Sequence, residues 1–248
     1  MDKALISLTF DDGLRCQFEK ALPILDQYGF PATFFLVANT EPIFKDGTKE
    51  TDEFNWRKIA WNADDIRLLK GMIYRGHEIG SHSVTHKEEE MKKCPEKEAR
   101  DSKRFIDGSV GREEVSSFCY PFYRSHAYLV DAVKNAGYEQ ARGGGMAPDY
   151  VPKNNSYYTV PHDSSLHRFN VDCRQISKNE DVGKWVQPGR WHILTFHGIG
   201  GKQDGWEPIC VEQFATQMEE LAKLRDSAAV EVVTFKDGAG RFREPTLR

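Results

Sequence analysis

The stretch Ala4-Leu5-Ile6-Ser7-Leu8-Thr9-Phe10-Asp11-Asp12-Gly13 decides the fold. Residues 4–10 read as a strand that stops at two carboxylates and a glycine turn. A helix-like segment follows at 18–28 and a second strand at 32–37. The exchange continues with a helix at 63–75, a strand at 78–81, and a helix at 94–106 in which Pro95 suits the first position and Gly108 the stop. Next come a strand at 115–120, a helix at 127–136 and a strand at 138–141. The last third supplies a buried strand at 191–196, an amphipathic helix at 211–224 and a closing strand at 229–235. Such alternation predicts parallel β/α units. A barrel-like α/β domain is the simplest outcome, because parallel strands with crossover helices must close on themselves or be covered on both faces. Two stretches, 39–58 and 143–170, read as long loops, which in a parallel barrel shape the active face.

Composition narrows the function. A chain of 248 residues with 39% hydrophobic content is enough for one full core and predicts a single domain over 1–248. The net charge of -4 comes from interspersed signs, and the pI is near 6.1. No basic stripe would collect phosphates, so neither nucleic acid nor an anionic membrane is an expected partner. The charged run 87–104 reads as a solvated helix face and its approach. Five scattered cysteines, Cys16, Cys94, Cys119, Cys173 and Cys210, contain no C-x-x-C pair, which predicts reduced thiols. The run 4–10 is too short and polar for a signal peptide or a membrane span. As written the chain is expected in the cytoplasm, or outside it if a leader has been removed.

The chemistry begins at Asp11 and Asp12. Adjacent side chains at a strand end diverge, so one carboxylate can hold a metal while its neighbour handles a proton. An Asp-Asp-Gly turn is common by itself. Its significance comes from His82-Ser83-Val84-Thr85-His86, which follows the strand at 78–81. If that segment turns helical, the four-residue spacing sets both imidazoles on one face. With Asp12 they would form a two-nitrogen, one-oxygen donor set that leaves positions open for water and substrate. Zinc is the first expectation, with cobalt or nickel also accepted by such donors. His77, before the strand, reads as a packing or capping residue. His197 ends the apolar strand at 191–196 and could act as a general acid, while Trp191, His192 and Phe196 read as core.

These positions, taken together, resemble the polysaccharide deacetylase family, also called the NodB-homology family or carbohydrate esterase family four. The resemblance covers roughly residues 4–235 and implies a distorted, incomplete (β/α) barrel. The family's Thr-Phe-Asp-Asp motif falls on Thr9 to Asp12, implying Asp11 as catalytic base and Asp12 as metal ligand. Its His-Ser/Thr-x-x-His motif falls on His82 to His86 and implies two further ligands. Phe118-Cys119-Tyr120-Pro121-Phe122 resembles the third motif, which lines the groove and offers a backbone N–H, here that of Phe122, to an oxyanion. His197 falls at the catalytic acid. Tyr120, Pro121, Phe122, Leu194 and Thr195 are the implied substrate contacts.

Three departures stand out. Cys119 occupies the place of an arginine that contacts the catalytic aspartate, with Arg124, Arg142 and Arg168 as candidate replacements. Thr195 stands where a leucine helps form the acetyl pocket. The aspartate supporting the catalytic histidine is either Asp163 or Asp172. The implied activity is metal-dependent removal of acetyl groups from N-acetylated, or O-acetylated, sugars. A cytoplasmic amidohydrolase of the same fold acting on a small amide or ureide is the alternative. A catalytically dead carbohydrate-binding protein is the third reading.

Overall fold

The computed structural model describes residues 3–39, 56–111, 115–143, 160–161, 168–176, 181–184 and 186–241. Strand β1 (Ala4–Phe10) is buried along its whole length, which accounts for its nearly unbroken apolar run. Its two polar residues face inward and are satisfied there. Ser7 Oγ donates to Thr234 O at 3.1 Å and accepts from Trp191 Nε1 at 2.9 Å, and Thr9 Oγ1 lies 2.9 Å from Thr195 Oγ1.

A π-helical turn, Gln17–Ala21, leads into α1 (Leu22–Tyr28), where the sequence suggests one helix. The chain continues through β2 (Thr33–Leu36), α2 (Ala63–Tyr74), β3 (Glu78–Ser81), α3 (Glu88–Lys93) and α4 (Pro95–Val110). The stop of α4 is Gly111, left-handed at φ 96, and not Gly108. Then follow β4 (Ser117–Cys119), α5 (Ala127–Asn135), β5 (Gln140–Arg142), β6 (Val160–Pro161) and β7 (Arg174–Gln175). Strand β8 (Arg190–Phe196), α6 (Val211–Asp226), β9 (Val230–Val232) and α7 (Phe235–Arg241) complete the order.

The sheet runs β5-β4-β3-β2-β1-β8-β6, with β7 on β8 and β9 on β1, and only β6 antiparallel. It curls into a partial barrel. Residues 168–176 span the gap between its sides, since Val171 N donates to Ala141 O and Ile176 N to Thr195 O. Strand β9 does not close the barrel as expected; it pairs with β1, and the chain then turns into α7, which plugs the interior with Phe235 and Ala239. The larger core lies between sheet and helices and includes Phe10, Phe34, Leu194, Phe196 and Phe214. A smaller core inside the curl contains Leu5, Phe35, Trp191 and Ile193. The β1–β8 ladder pairs Leu5 with Trp191 through Phe10 with Phe196, so the residues just beyond it, Asp11 and His197, emerge side by side. Among the described residues no helix is long and apolar enough to cross a membrane.

Candidate active site

Parallel strands deliver their C-terminal ends to one face, and the sequence-predicted residues meet there. The donor atoms converge tightly. Nε2 of His82 and Nε2 of His86 each lie 3.4 Å from Asp12 Oδ1, an oxygen that is buried and makes no hydrogen bond among the described residues. An orphaned carboxylate oxygen flanked by two imidazole nitrogens is a poor end state for a protein interior and a good donor set for a divalent cation. Burial pushes the His86 imidazole down to about 4, which leaves its lone pair free. Burial works against the Asp12 carboxylate, yet the nearby imidazoles hold it below the usual range.

The two histidines do not share a helix, as their spacing suggested. They sit on the loop between β3 and α3, which is turned by left-handed residues Ser83 (φ 67) and His86 (φ 55), with ring centroids 4.9 Å apart. Buried Glu98 of α4 fixes this loop: Oε2 accepts from Val84 N and Thr85 N, both at 2.9 Å, and Oε1 accepts the Thr85 hydroxyl. Thus one residue of the supposedly solvated run 87–104 is an internal clamp. Nδ1 of His82 lies 2.8 Å from Cys119 O, so it donates there and turns Nε2 toward Asp12.

Asp11 has a different environment from its neighbour. Both its carboxylate oxygens accept from Arg142, the last residue of β5, which is fully buried between the rings of Phe35 and Tyr123. Burial would raise the Asp11 pKa, but the guanidinium, aided by His197 and His82, outweighs it and keeps the carboxyl below its ordinary value. Among the three candidate arginines it is Arg142 that reaches Asp11, whereas Arg124 pairs with Glu88. Cys119 Sγ accepts from the same guanidinium at 2.7 Å, as does Cys173 Sγ, and burial raises both thiols so that they stay neutral. His197 Nε2 is 3.6 Å from Asp11 Oδ2; burial lowers its pKa, with Asp11 opposing. No hydrogen bond reaches its Nδ1 among the described residues; Asp172 is half-buried on the bridging segment, and Asp163 lies outside the described residues.

Strain concentrates at this face. Asp12 (φ 75), Phe122 (φ 57) and Tyr123 (φ 60), like Ser83 and His86, adopt left-handed backbone that non-glycine residues seldom hold. Pro121 is buried, and Phe122 projects beside His86 with ring centroids at 4.6 Å. Tyr120 does not line the site: it is fully buried in the core between sheet and helices, its ring 5.3 Å from that of Phe118, and is thereby removed from the substrate contacts. Leu194 falls elsewhere: it is buried in the core between sheet and helices and is thereby removed from the substrate contacts. Thr195 is also fully buried, its hydroxyl spent on Thr9 beneath the site.

Sequence reasoning missed three residues. Gln17, fully buried on the π-helical turn, donates through Nε2 to Asp11 O at 2.5 Å and His197 O at 3.0 Å, joining the two strand ends. Glu98 is the clamp described above, and Trp206 packs 4.9 Å from His197. Only a polar residue six places after Asp11 hinted at Gln17; Glu98 was hidden in a charged run. His77 packs as expected, Nδ1 accepting from Ala32 N and Nε2 meeting Asp26.

The sequence model of the polysaccharide deacetylase family matches residues 1–141. The Bacillus subtilis (strain 168) protein YxkH, which bears the name of a polysaccharide deacetylase, is 24% identical over 168 residues, covering 67% of this chain and 51% of its own. A chitooligosaccharide deacetylase from Sinorhizobium fredii (strain NBRC 101917 / NGR234) is 29% identical over 82 residues, 33% of this chain and 28% of that protein. The chain therefore spans about half, or less, of the curated relatives it matches. Among solved structures, a family 4 acetyl xylan esterase from Clostridium thermocellum in complex with cobalt superposes with a TM-score of 0.56 at 20% identity, covering 94% of this chain and 89% of that one. At that identity the likeness establishes the fold.

Proposed function

Because the chain belongs to the polysaccharide deacetylase family, we propose that it is a metal-dependent hydrolase that removes acetyl groups from N-acetylated sugars. The observation that carries this reading is the convergence of Asp12, His82 and His86 beside a separate Asp11–His197 pair at one strand-end face. Zinc remains the first expectation for the donor set; the cobalt in the Clostridium thermocellum esterase supports a divalent ion in general.

Asp12, His82 and His86 would hold such a cation, which would supply Lewis-acid polarisation of the acetyl carbonyl and lower the pKa of a bound water toward ~7. Asp11, held ionised and oriented by Arg142, takes the proton of the attacking water. The N–H of Phe122 is the backbone donor for the developing oxyanion. His197, beside Asp11, gives a proton to the departing amine. Phe122, exposed beside His86, frames the entrance.

A second reading, an amidohydrolase of small amides or ureides, is favoured by the five free cysteines, which suit a reducing compartment. A dead binding protein is disfavoured because all five catalytic and ligand positions are filled. Metal-loaded protein should be assayed with acetylated chito-oligosaccharides and, in parallel, with small cyclic amides. Acetate release from the former supports deacetylation of sugars; ring opening of the latter with inert oligosaccharides refutes it.

A further inference from the structure

Two large aromatic side chains stand partly in solvent at the strand-end face: Phe122, 38% exposed beside His86, and Trp206, 39% exposed beside His197. The chemistry above makes no use of Trp206. Its ring is 4.9 Å from the His197 imidazole at 84° and 6.4 Å from Tyr123. The backbone fixes this placement. Gly198, next to His197, donates its N–H to Trp206 O at 3.3 Å, and Ile209 N returns a bond to Gly198 O at 3.0 Å. Gly205 (φ +151) lies against Gly198 so closely that a Cβ on it would sit 2.8 Å from the Gly198 backbone. Trp206 is thus tied to the residue following His197, and not carried on a free loop.

An indole kept half in water beside a proton donor invites a partner with an apolar face and a polar rim. The proton of His197 goes to the amine being released, so the group bearing that amine must lie next to His197 and within reach of the indole. A pyranose ring meets the requirement: its axial C–H bonds make an apolar face, while its hydroxyls stay in solvent at the edge. A small acyclic amide offers no such face. We propose that Trp206 is the stacking platform for the sugar ring that carries the departing amine, and hence a specificity-determining residue. This rests on the deacetylase reading above.

The test compares metal-loaded wild type, Trp206→Ala and Trp206→Phe on tetra-N-acetylchitotetraose and on ethyl acetate, following acetate release. The expected result is a kcat/KM loss in Trp206→Ala roughly tenfold larger on the oligosaccharide than on ethyl acetate, mainly in KM, with Trp206→Phe recovering most of it. Equal losses on both substrates would overturn the proposal and make Trp206 a support for His197. The amino-sugar reading is tested separately by wild type alone: hydrolysis of ethyl acetate without any release from the oligosaccharide overturns that reading, and this proposal with it.

Discussion

Arg142, at the end of β5, grips both carboxylate oxygens of Asp11, a residue 131 positions earlier in the chain. Removing the guanidinium takes away the main influence opposing burial, so the Asp11 pKa must rise. A base acts only when ionised; the acid limb of kcat/KM should therefore move upward in Arg142→Met. Arg124→Met and Arg168→Met should leave it in place. Breaking a buried pair also leaves a charge uncompensated, at a cost of about 3–5 kcal/mol, so a lowered Tm should accompany the shift. An unmoved acid limb in a folded Arg142→Met protein would show that Arg142 does not set the ionisation of Asp11.

The neighbouring aspartates face different partners and should fail differently. Asp12→Ala should lose tight metal binding because it removes one of three donors, whereas Asp11→Asn should keep the metal and lose turnover. Metal analysis of both purified variants decides this. Full occupancy in Asp12→Ala would refute its role as a ligand.

His197 lies against Asp11 outside the convergent donor set. As a general acid it should contribute roughly 10² to 10⁴ in rate, and His197→Ala should retain its metal. Wild-type rates on an N-acetyl substrate would transfer the role to another residue; His162 and His167, the next candidates in the sequence, lie outside the described residues.

Glu98 touches no reacting atom but holds the loop carrying His86 through three hydrogen bonds. Outer supports of this kind typically affect metal affinity by 10–100-fold. Glu98→Gln should weaken metal binding by about that range, measured by competition with a chelating dye. Unchanged affinity would reduce Glu98 to a folding role.

Gln17 bridges the carbonyls of Asp11 and His197 with a single amide. Gln17→Leu keeps the approximate volume and removes the bridge, so kcat should fall roughly tenfold or more while metal content holds, as expected when base and acid lose alignment. A fall in KM-independent terms is the signature to seek: if kcat is retained and only Tm drops, the bridge serves stability alone.

Local spacing in the chain determined the alternation of strands and helices, the carboxylate pair at the end of β1, the two histidines after β3 and the histidine after β8. Each depends on short-range patterns: period-two and period-3.6 burial, and strand ends that must share a face once the sheet is parallel. Tertiary structure alone decided which arginine meets Asp11, because Arg124, Arg142 and Arg168 are equivalent in composition and only the β4–β5 pairing brings residue 142 to the site. It also decided that the histidine loop is left-handed and not helical, that Leu194 faces the outer core, and that residues 235–241 form a plug instead of extending a strand. Gln17, Glu98 and Trp206 acquired their contacts the same way. Each meets partners that the fold brings near, and side-chain identity carries no record of which distant backbone will lie beside it.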